Sequence, residues 1–205
     1  MRWIVGHNKY LSCSEVKTVL TKVAELSKRD RQNFKDIWFK IETLLMIAFN
    51  LGTRCQEMKM IRHGDLFLDD EIPFVQVRGK NKRARCIPIN TALKRSLLLF
   101  ISHKKSMGQP TNADALLFIS PRGTYYSTGT FEQWFKRAMA VSGIRRKLSL
   151  HKCRHTFARN YYLVSEKDLI GLSQLLGHAD VSTTSVYTDV TFDTLSKNCQ
   201  VLFTK

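Results

Sequence analysis

The sequence contains no apolar run that approaches the roughly 20 residues needed to span a bilayer. Its first residues, 1–6, turn polar at once, so no signal peptide is expected. It also contains no internal repeat and no low-complexity tract. With 205 residues, of which 43% are hydrophobic, the chain is long enough to bury the core of one globular domain.

Paired cysteines are missing as well. The five cysteines are scattered singly, without a C-x-x-C pair: Cys13, Cys55, Cys86, Cys153 and Cys199. This usage indicates a reduced, intracellular protein. His151, Cys153 and His155 resemble a metal-binding cluster, but at this spacing on a helix the middle residue points away from the other two, so no metal is expected there.

Acidic residues are scarce, with 17 against 33 lysines and arginines, and the formal charge is +16. Such an excess costs stability through self-repulsion and is typical of a protein with a polyanionic partner. Nucleic acid is the first candidate partner, and an anionic membrane surface is the second. Membrane binding requires one basic amphipathic helix, whereas the basic residues here are spread over the chain. No acidic cluster is available to bind magnesium, which argues against a two-metal nuclease.

Most of the sequence has apolar residues at helical spacing. Ser12 and Glu15 match a helix capping box, and a charged loop at 28–31 is expected to end the helix that they start. Gly52 is the expected C-cap of a second, more apolar helix. The expected elements are helices over 12–27, 34–50, 54–61, 91–105, 128–141, from 149, 167–176 and 192–205, and a hairpin of strands 72–77 and 85–89. The predicted fold is therefore mainly α with a small antiparallel sheet.

Arg54 and Glu57 lie three residues apart and can pair on one helical face. The alternative is an ordinary surface ion pair, which contributes little. The predicted hairpin concentrates cations at its tip and shoulders: Arg78, Lys80, Lys82, Arg83 and Arg85. These cations favour contact with phosphates, although a charged edge can also serve solvation alone.

His151 and Arg154 lie near an expected helix start, where backbone N–H groups and the helix dipole favour an anion. The alternative there is a basic surface turn. Three further cations precede them: Arg145, Arg146 and Lys147. His178 and Tyr187 then lie nine residues apart across a hydroxyl-rich segment. The alternative for this tyrosine is a buried side chain with a satisfied hydroxyl.

Together these side chains suit phosphodiester chemistry. Two arginine forks can hold one phosphate and stabilise the charge that grows in a pentacoordinate transition state, while histidines add hydrogen-bond donors or a general base. A phenol has a pKa near ~10, well below that of a sugar hydroxyl, so a phosphotyrosyl link formed by Tyr187 keeps the energy of the diester and needs no ATP. Lys80 can protonate the departing sugar oxygen.

A series of motifs follows along the chain: Gly52-Thr53-Arg54-Cys55-Gln56-Glu57, Gly79-Lys80 ahead of Ile87-Pro88-Ile89, His151-x-x-Arg154-His155, Leu176-Gly177-His178 and Tyr187. In this order they resemble the tyrosine recombinase family of phage integrases and Xer-type resolvases, over about residues 11–200. The resemblance implies a phosphate-binding and acid/base set of Arg54, Lys80, His151, Arg154 and His178. It implies Tyr187 as the nucleophile, forming a 3′-phosphotyrosine and freeing a 5′-hydroxyl, and Glu57 as a support for Arg54.

The resemblance also implies a mostly helical catalytic domain at 11–205, after a linker stub at 1–10. Such a domain needs no cofactor, acts on double-stranded DNA as a tetramer, and would work in the cytoplasm, at the nucleoid of a prokaryotic host. The other hairpin and turn cations are then expected to contact DNA: Arg78, Lys82, Arg83, Arg85, Arg145, Arg146 and Lys147.

Several alternatives stay open at this level. The segment 190–205 either packs onto a neighbouring protomer or folds back on its own chain. The chain is either the catalytic portion of a longer protein or a short, single-domain recombinase of the invertase type. A type IB topoisomerase and a non-catalytic DNA-binding regulator with the same fold are the rival functions.

Overall fold

The computed structural model describes residues 10–33, 35–79, 84–177 and 192–203. The described elements, in chain order, are α1 (Cys13–Gln32), α2 (Ile37–Leu51), α3 (Cys55–Met58), a 3₁₀ turn (His63–Asp65), β1 (Leu66–Phe67), β2 (Phe74–Arg78), β3 (Ala84–Pro88), α4 (Thr91–Ser106), α5 (Thr128–Val141), α6 (His151–Val164), α7 (Leu169–Leu176) and α8 (Phe192–Gln200). The predicted fold class, mainly α with a small antiparallel sheet, is confirmed. None of these helices is both long and apolar enough to cross a membrane.

Helix α1 begins as the sequence predicted and ends later. The Ser12 hydroxyl accepts from the Glu15 amide at 3.2 Å, and the Glu15 carboxylate accepts from the Ser12 amide at 2.8 Å. The predicted charged loop at 28–31 is wrong, because lysine and arginine are good helix formers and no glycine or proline interrupts them. Asp30 instead accepts a hydrogen bond from the Trp38 amide at 2.9 Å, which ties the end of α1 to the start of α2.

Helix α2 is the centre of the domain. It is apolar around most of its circumference and packs against α1, α4, α5 and α6, as expected for a helix that is buried on nearly all sides. Its C-cap is Gly52, as predicted, in the left-handed conformation with φ 57°. The residues that follow Gly52 therefore start from a fixed point inside the core.

The small sheet has the strand order β1-β2-β3 and is antiparallel throughout. The predicted hairpin is confirmed as β2 paired with β3, in a register that places Val75 opposite Ile87. The sequence did not predict β1, which is only two residues long and pairs Leu66 with Val75. On its far side β3 packs against α7 and α8, so the sheet links the hairpin to the C-terminal helices.

Helix α8 lies on β3 and α6 of its own chain. Leu195, Cys199 and Leu202 are buried there. The Asn198 amide donates to the Tyr161 hydroxyl at 3.3 Å, and the Gln200 amide donates to the Ile89 carbonyl at 3.2 Å. In this structure the C-terminal segment is thus held by both apolar burial and polar contacts within one chain.

Candidate active site

Arg54 leaves the core at the turn between α2 and α3. Gly52 is required at this turn, because a Cβ built on it would lie 2.3 Å from the ring of Phe157. Arg54 is the N-cap of α3, and its amide donates to a Glu57 carboxylate oxygen at 2.7 Å. Its side chain is 44% exposed and donates to the other oxygen of Glu57 at 3.1 Å. The guanidinium is therefore anchored on one side and open to solvent on the other.

Glu57 is the buried carboxylate of this cluster. Arg85, from β3, donates to its two oxygens through Nη1 and Nη2, each at 2.9 Å. Burial alone raises the pKa of Glu57, but the hydrogen bonds from Arg85 and from the Arg54 amide, together with both positive charges, hold that pKa below its usual value. Glu57 is therefore ionised and orients two arginines.

Arg154 projects from α6 into the same cluster and is 5% exposed. Its Nη1 donates to the Gly52 carbonyl and its Nη2 to the Leu176 carbonyl, both at 2.9 Å. Burial and the nearby charge of Arg54 lower the pKa of Arg154 to about 10. Glu57 supplies one negative charge to this cluster of three guanidinium groups, so positive charge is in excess there. The cluster favours an additional anion.

His151 is the first residue of α6, one turn before Arg154. Burial and the charge of Arg154 lower the pKa of His151, so its imidazole is neutral at neutral pH. Its ring packs edge-on against the ring of His155, with centroids 4.8 Å apart. Cys153 is buried, whereas His151 and His155 are exposed, and within the described residues no group of three or more metal-ligand side chains is arranged to hold an ion. A neutral imidazole beside two arginines is suited to proton transfer.

Helix α7 ends at this cluster. It begins two residues later than predicted, at Leu169, because Glu166 and Lys167 take positive φ values and the Asp168 carboxylate caps the Gly171 amide at 2.8 Å. Its C-cap is Gly177, with φ 64°. Arg154 holds the carbonyl of Leu176, the last residue of the helix.

The structure brings together Arg54, Glu57, His151 and Arg154, which the sequence had placed in one site. Lys80, Lys82, Arg83, His178 and Tyr187 lie outside the described residues.

Arg85 differs from its expected place at the shoulder of the hairpin. Its side chain is 12% exposed and is directed inward, where it donates to Glu57 and, through Nε, to the Leu175 carbonyl at 2.7 Å. Strand alternation was a signal for this position, because Arg85 and the buried Ile87 are two residues apart and share one face of β3.

The remaining expected DNA contacts lie at the surface. The side chain of Arg78 is 64% exposed and pairs with Asp65 at 3.2 Å. Arg145, Arg146 and Lys147 line an open, basic cleft beside α5. Arg146 also pairs with Glu15 of α1. Arg78, Arg145 and Lys147 are therefore exposed positive charges, whereas Arg146 is half-buried in its ion pair.

Replacing Glu57 with glutamine should lower stability in a pH-dependent way. The folded state depresses the pKa of Glu57 below the ordinary value of 4.5, so its stabilising contribution is present above that pH and is lost as the pH falls through the lower, folded-state pKa. The gap in unfolding free energy between wild type and Glu57→Gln should therefore narrow below pH 4.5. Urea denaturation at a series of acidic pH values measures this difference in unfolding free energy. Glu25→Gln is the control, because the Glu25 side chain is 53% exposed. A gap that stays constant would contradict the prediction.

Residues 9–194 match the family model of the phage integrase family. Among curated relatives, tyrosine recombinase XerH of Campylobacter jejuni is 27% identical over 194 residues, which is 94% of this chain and 51% of the relative. Tyrosine recombinase XerD of Oceanobacillus iheyensis is 32% identical over 151 residues, 73% of this chain and 50% of the relative. The chain thus spans about half the length of these relatives.

Solved structures share the fold. The pre-cleavage complex of XerH recombinase with its difH substrate matches with a TM-score of 0.69 and 22% identity, covering 88% of this chain and 50% of that one. The catalytic core of lambda integrase matches with a TM-score of 0.57 and 22% identity, covering 82% of this chain and 94% of that one. A lambda integrase tetramer bound to a Holliday junction has a TM-score of 0.57 at 22% identity, over 88% of this chain and 48% of that one.

Proposed function

Because the chain belongs to the phage integrase family, we propose that it is the catalytic domain of a site-specific DNA recombinase that breaks and rejoins strands through Tyr187. The observation that carries the proposal is the cluster of Arg54, Arg85 and Arg154 around the single carboxylate of Glu57. Its excess positive charge lies beside a neutral histidine, and a phosphodiester satisfies both its charge and its hydrogen-bond donors.

In the proposed step, the phenolic oxygen of Tyr187 bonds to phosphorus as the bond from phosphorus to the 5′ oxygen breaks. The phenolic proton passes to His151, whose lowered pKa leaves it neutral and able to accept. Lys80 supplies the proton that the departing 5′ oxygen takes up. The products are a 3′-phosphotyrosyl link and a free 5′-hydroxyl, and religation runs the same exchange backwards on the recombined strand.

The arginines stabilise the charge of the transition state. Arg54 is open to solvent on one side, and each Nη of Arg154 carries a second hydrogen beyond the one that it gives to a backbone carbonyl. Preorganised donors of this kind need not reorganise during the reaction. His178, which follows the α7 cap at Gly177, is proposed to add one more donor to the phosphate.

Double-stranded DNA is the proposed partner, and the cations proposed to bind it are Arg78, Lys82, Arg83, Arg145, Arg146 and Lys147. Similar solved structures include XerH bound to its difH substrate and a lambda integrase tetramer bound to a Holliday junction, which supports a multimer on DNA. We propose that the C-terminal segment joins protomers of such a tetramer, and that α8 then gives up its contacts with β3 and α6 of its own chain. Binding by this domain alone should weaken strongly with salt.

Covalent capture tests the proposal. The protein is incubated with a pool of nicked duplexes of random sequence, and adducts are recovered under denaturing conditions and sequenced. A recombinase yields adducts enriched in one site and then exchanges strands between two copies of that site. Relaxation of supercoiled DNA without exchange would indicate a type IB topoisomerase, and DNA binding without any adduct would indicate a non-catalytic regulator.

Replacing Lys80 with alanine should slow cleavage by about 10²–10⁴-fold, because the general acid for the 5′ oxygen is lost. DNA affinity should fall only as much as expected for one lost surface charge. Single-turnover cleavage and gel-shift titration measure the two effects separately. Lys22→Ala is the control, since this lysine lies in an exposed ion pair with Glu25 on α1. A parallel loss of affinity and rate would reduce Lys80 to a phosphate contact.

A further inference from the structure

Arg85 joins two parts of the candidate site that are distant in sequence. Its two Nη groups hold both oxygens of Glu57 at 2.9 Å, and its Nε donates to the Leu175 carbonyl at 2.7 Å. One planar guanidinium thus bridges the start of α3, where Arg54 lies, and the end of α7. Lysine cannot reproduce this bridge, because an ammonium group is a point charge without a planar fork.

The end of α7 is held from two sides. The last carbonyls of a helix have no partners within the helix, and cations there also interact favourably with the helix dipole. Arg85 from β3 takes the carbonyl of Leu175, and Arg154 from α6 takes the carbonyl of Leu176. Two consecutive peptide groups are therefore fixed immediately before Gly177.

Gly177 fits closely against the same side chain. A Cβ built on Gly177 would lie 3.1 Å from both Cδ and Nη1 of Arg85, and the residue has φ 64°. The chain thus leaves α7 in contact with Arg85, and the next residue in sequence is His178.

We infer that Arg85 is a positioning residue, which sets the spacing between the Arg54–Glu57 pair and the end of α7 from which His178 departs. The inference rests on the proposed function and adds a residue that acts through others. Arg85 also lies on β3 opposite Val77, at the end of the hairpin ladder that adjoins the segment containing Lys80, so the same contacts anchor that end of the hairpin next to the site.

The test uses the duplex selected by covalent capture. Arg85→Gln should slow single-turnover cleavage by about 100-fold, as expected when reacting groups are misplaced by about 1 Å. DNA affinity should match that of Arg62→Gln, a control that removes the same charge from an ion pair whose arginine is 40% exposed. Without its main hydrogen-bond partner Glu57 should protonate more readily, so the acid limb of the cleavage-pH profile should move to higher pH in Arg85→Gln and not in Arg62→Gln.

Chemical rescue separates positioning from general loss of structure. Guanidinium at low concentration should restore part of the cleavage rate of Arg85→Ala and leave wild type and Arg62→Gln unchanged. If Arg85→Ala does not fold, the cleavage rate of Arg85→Lys tests the inference instead. This variant keeps the positive charge but lacks the planar fork, so it should still cleave slowly.

Two negative results are distinguishable. Arg85→Gln or Arg85→Lys cleaving at the rate of Arg62→Gln would overturn the inference and leave the proposed function intact. Absence of any adduct with wild-type protein would overturn the proposed function, and this inference with it.

Discussion

Replacing Tyr187 with phenylalanine should abolish covalent capture of DNA and leave DNA affinity nearly unchanged. The substitution removes one oxygen, which is the atom proposed to bond to phosphorus, and phenylalanine keeps the ring. Loss of a nucleophile removes the covalent route altogether, and the rate should fall by on the order of 10⁴-fold or more. The positively charged surface proposed to bind DNA is not altered by this change.

The measurement pairs a denaturing gel for adducts with a gel shift for binding. Tyr125→Phe is the matched control, since Tyr125 is 49% exposed and loses the same hydroxyl. Peptide mapping of the wild-type adduct should place the DNA on Tyr187. An adduct that persists in Tyr187→Phe, or that maps to another tyrosine, would refute the assignment of the nucleophile.

Replacing Arg154 with alanine should reduce both cleavage and stability. Cleavage should fall by about 10³-fold or more, because a preorganised donor to the phosphate is lost where charge develops. The change also leaves the buried carbonyls of Gly52 and Leu176 without the donors that they have at 2.9 Å. Each unsatisfied buried group costs about 1–3 kcal/mol, and relief of the repulsion among the arginines offsets part of this, so we expect a loss of about 2–4 kcal/mol.

Thermal and urea denaturation measure the stability term, and single-turnover cleavage measures the catalytic one. Arg159→Ala is the matched control: it removes the same charge from the same helix, at an exposed residue whose guanidinium lies 4.5 Å from the ring of Tyr10. Arg154→Lys keeps a charge and should recover part of the stability but little of the cleavage, because two carbonyls and a phosphate need a planar fork. Stability equal to that of Arg159→Ala would show that the two carbonyl contacts contribute nothing.

The sequence was most informative where structure depends on neighbouring residues. The capping box of Ser12 and Glu15, the C-cap at Gly52 and the hairpin all follow from short spacings, and each is confirmed. It was least informative at boundaries. The charge run at 28–31 indicated a loop, but those residues extend α1, because charged side chains are compatible with an exposed helical face.

By itself, the sequence predicted the chemistry of the site from two arginines, a histidine and a glutamate in recognisable local settings, followed by a tyrosine in a family-like order. The sequence also placed Arg54 and Glu57 together, because residues three positions apart lie next to each other on one face of a helix. Only the tertiary structure decided that Arg85 faces Glu57 and the end of α7, and that Arg154 spans the Gly52 and Leu176 carbonyls. These contacts join residues 22 to 102 positions apart. They depend on how the sheet, α6 and α7 pack around the end of α2, which no local spacing specifies.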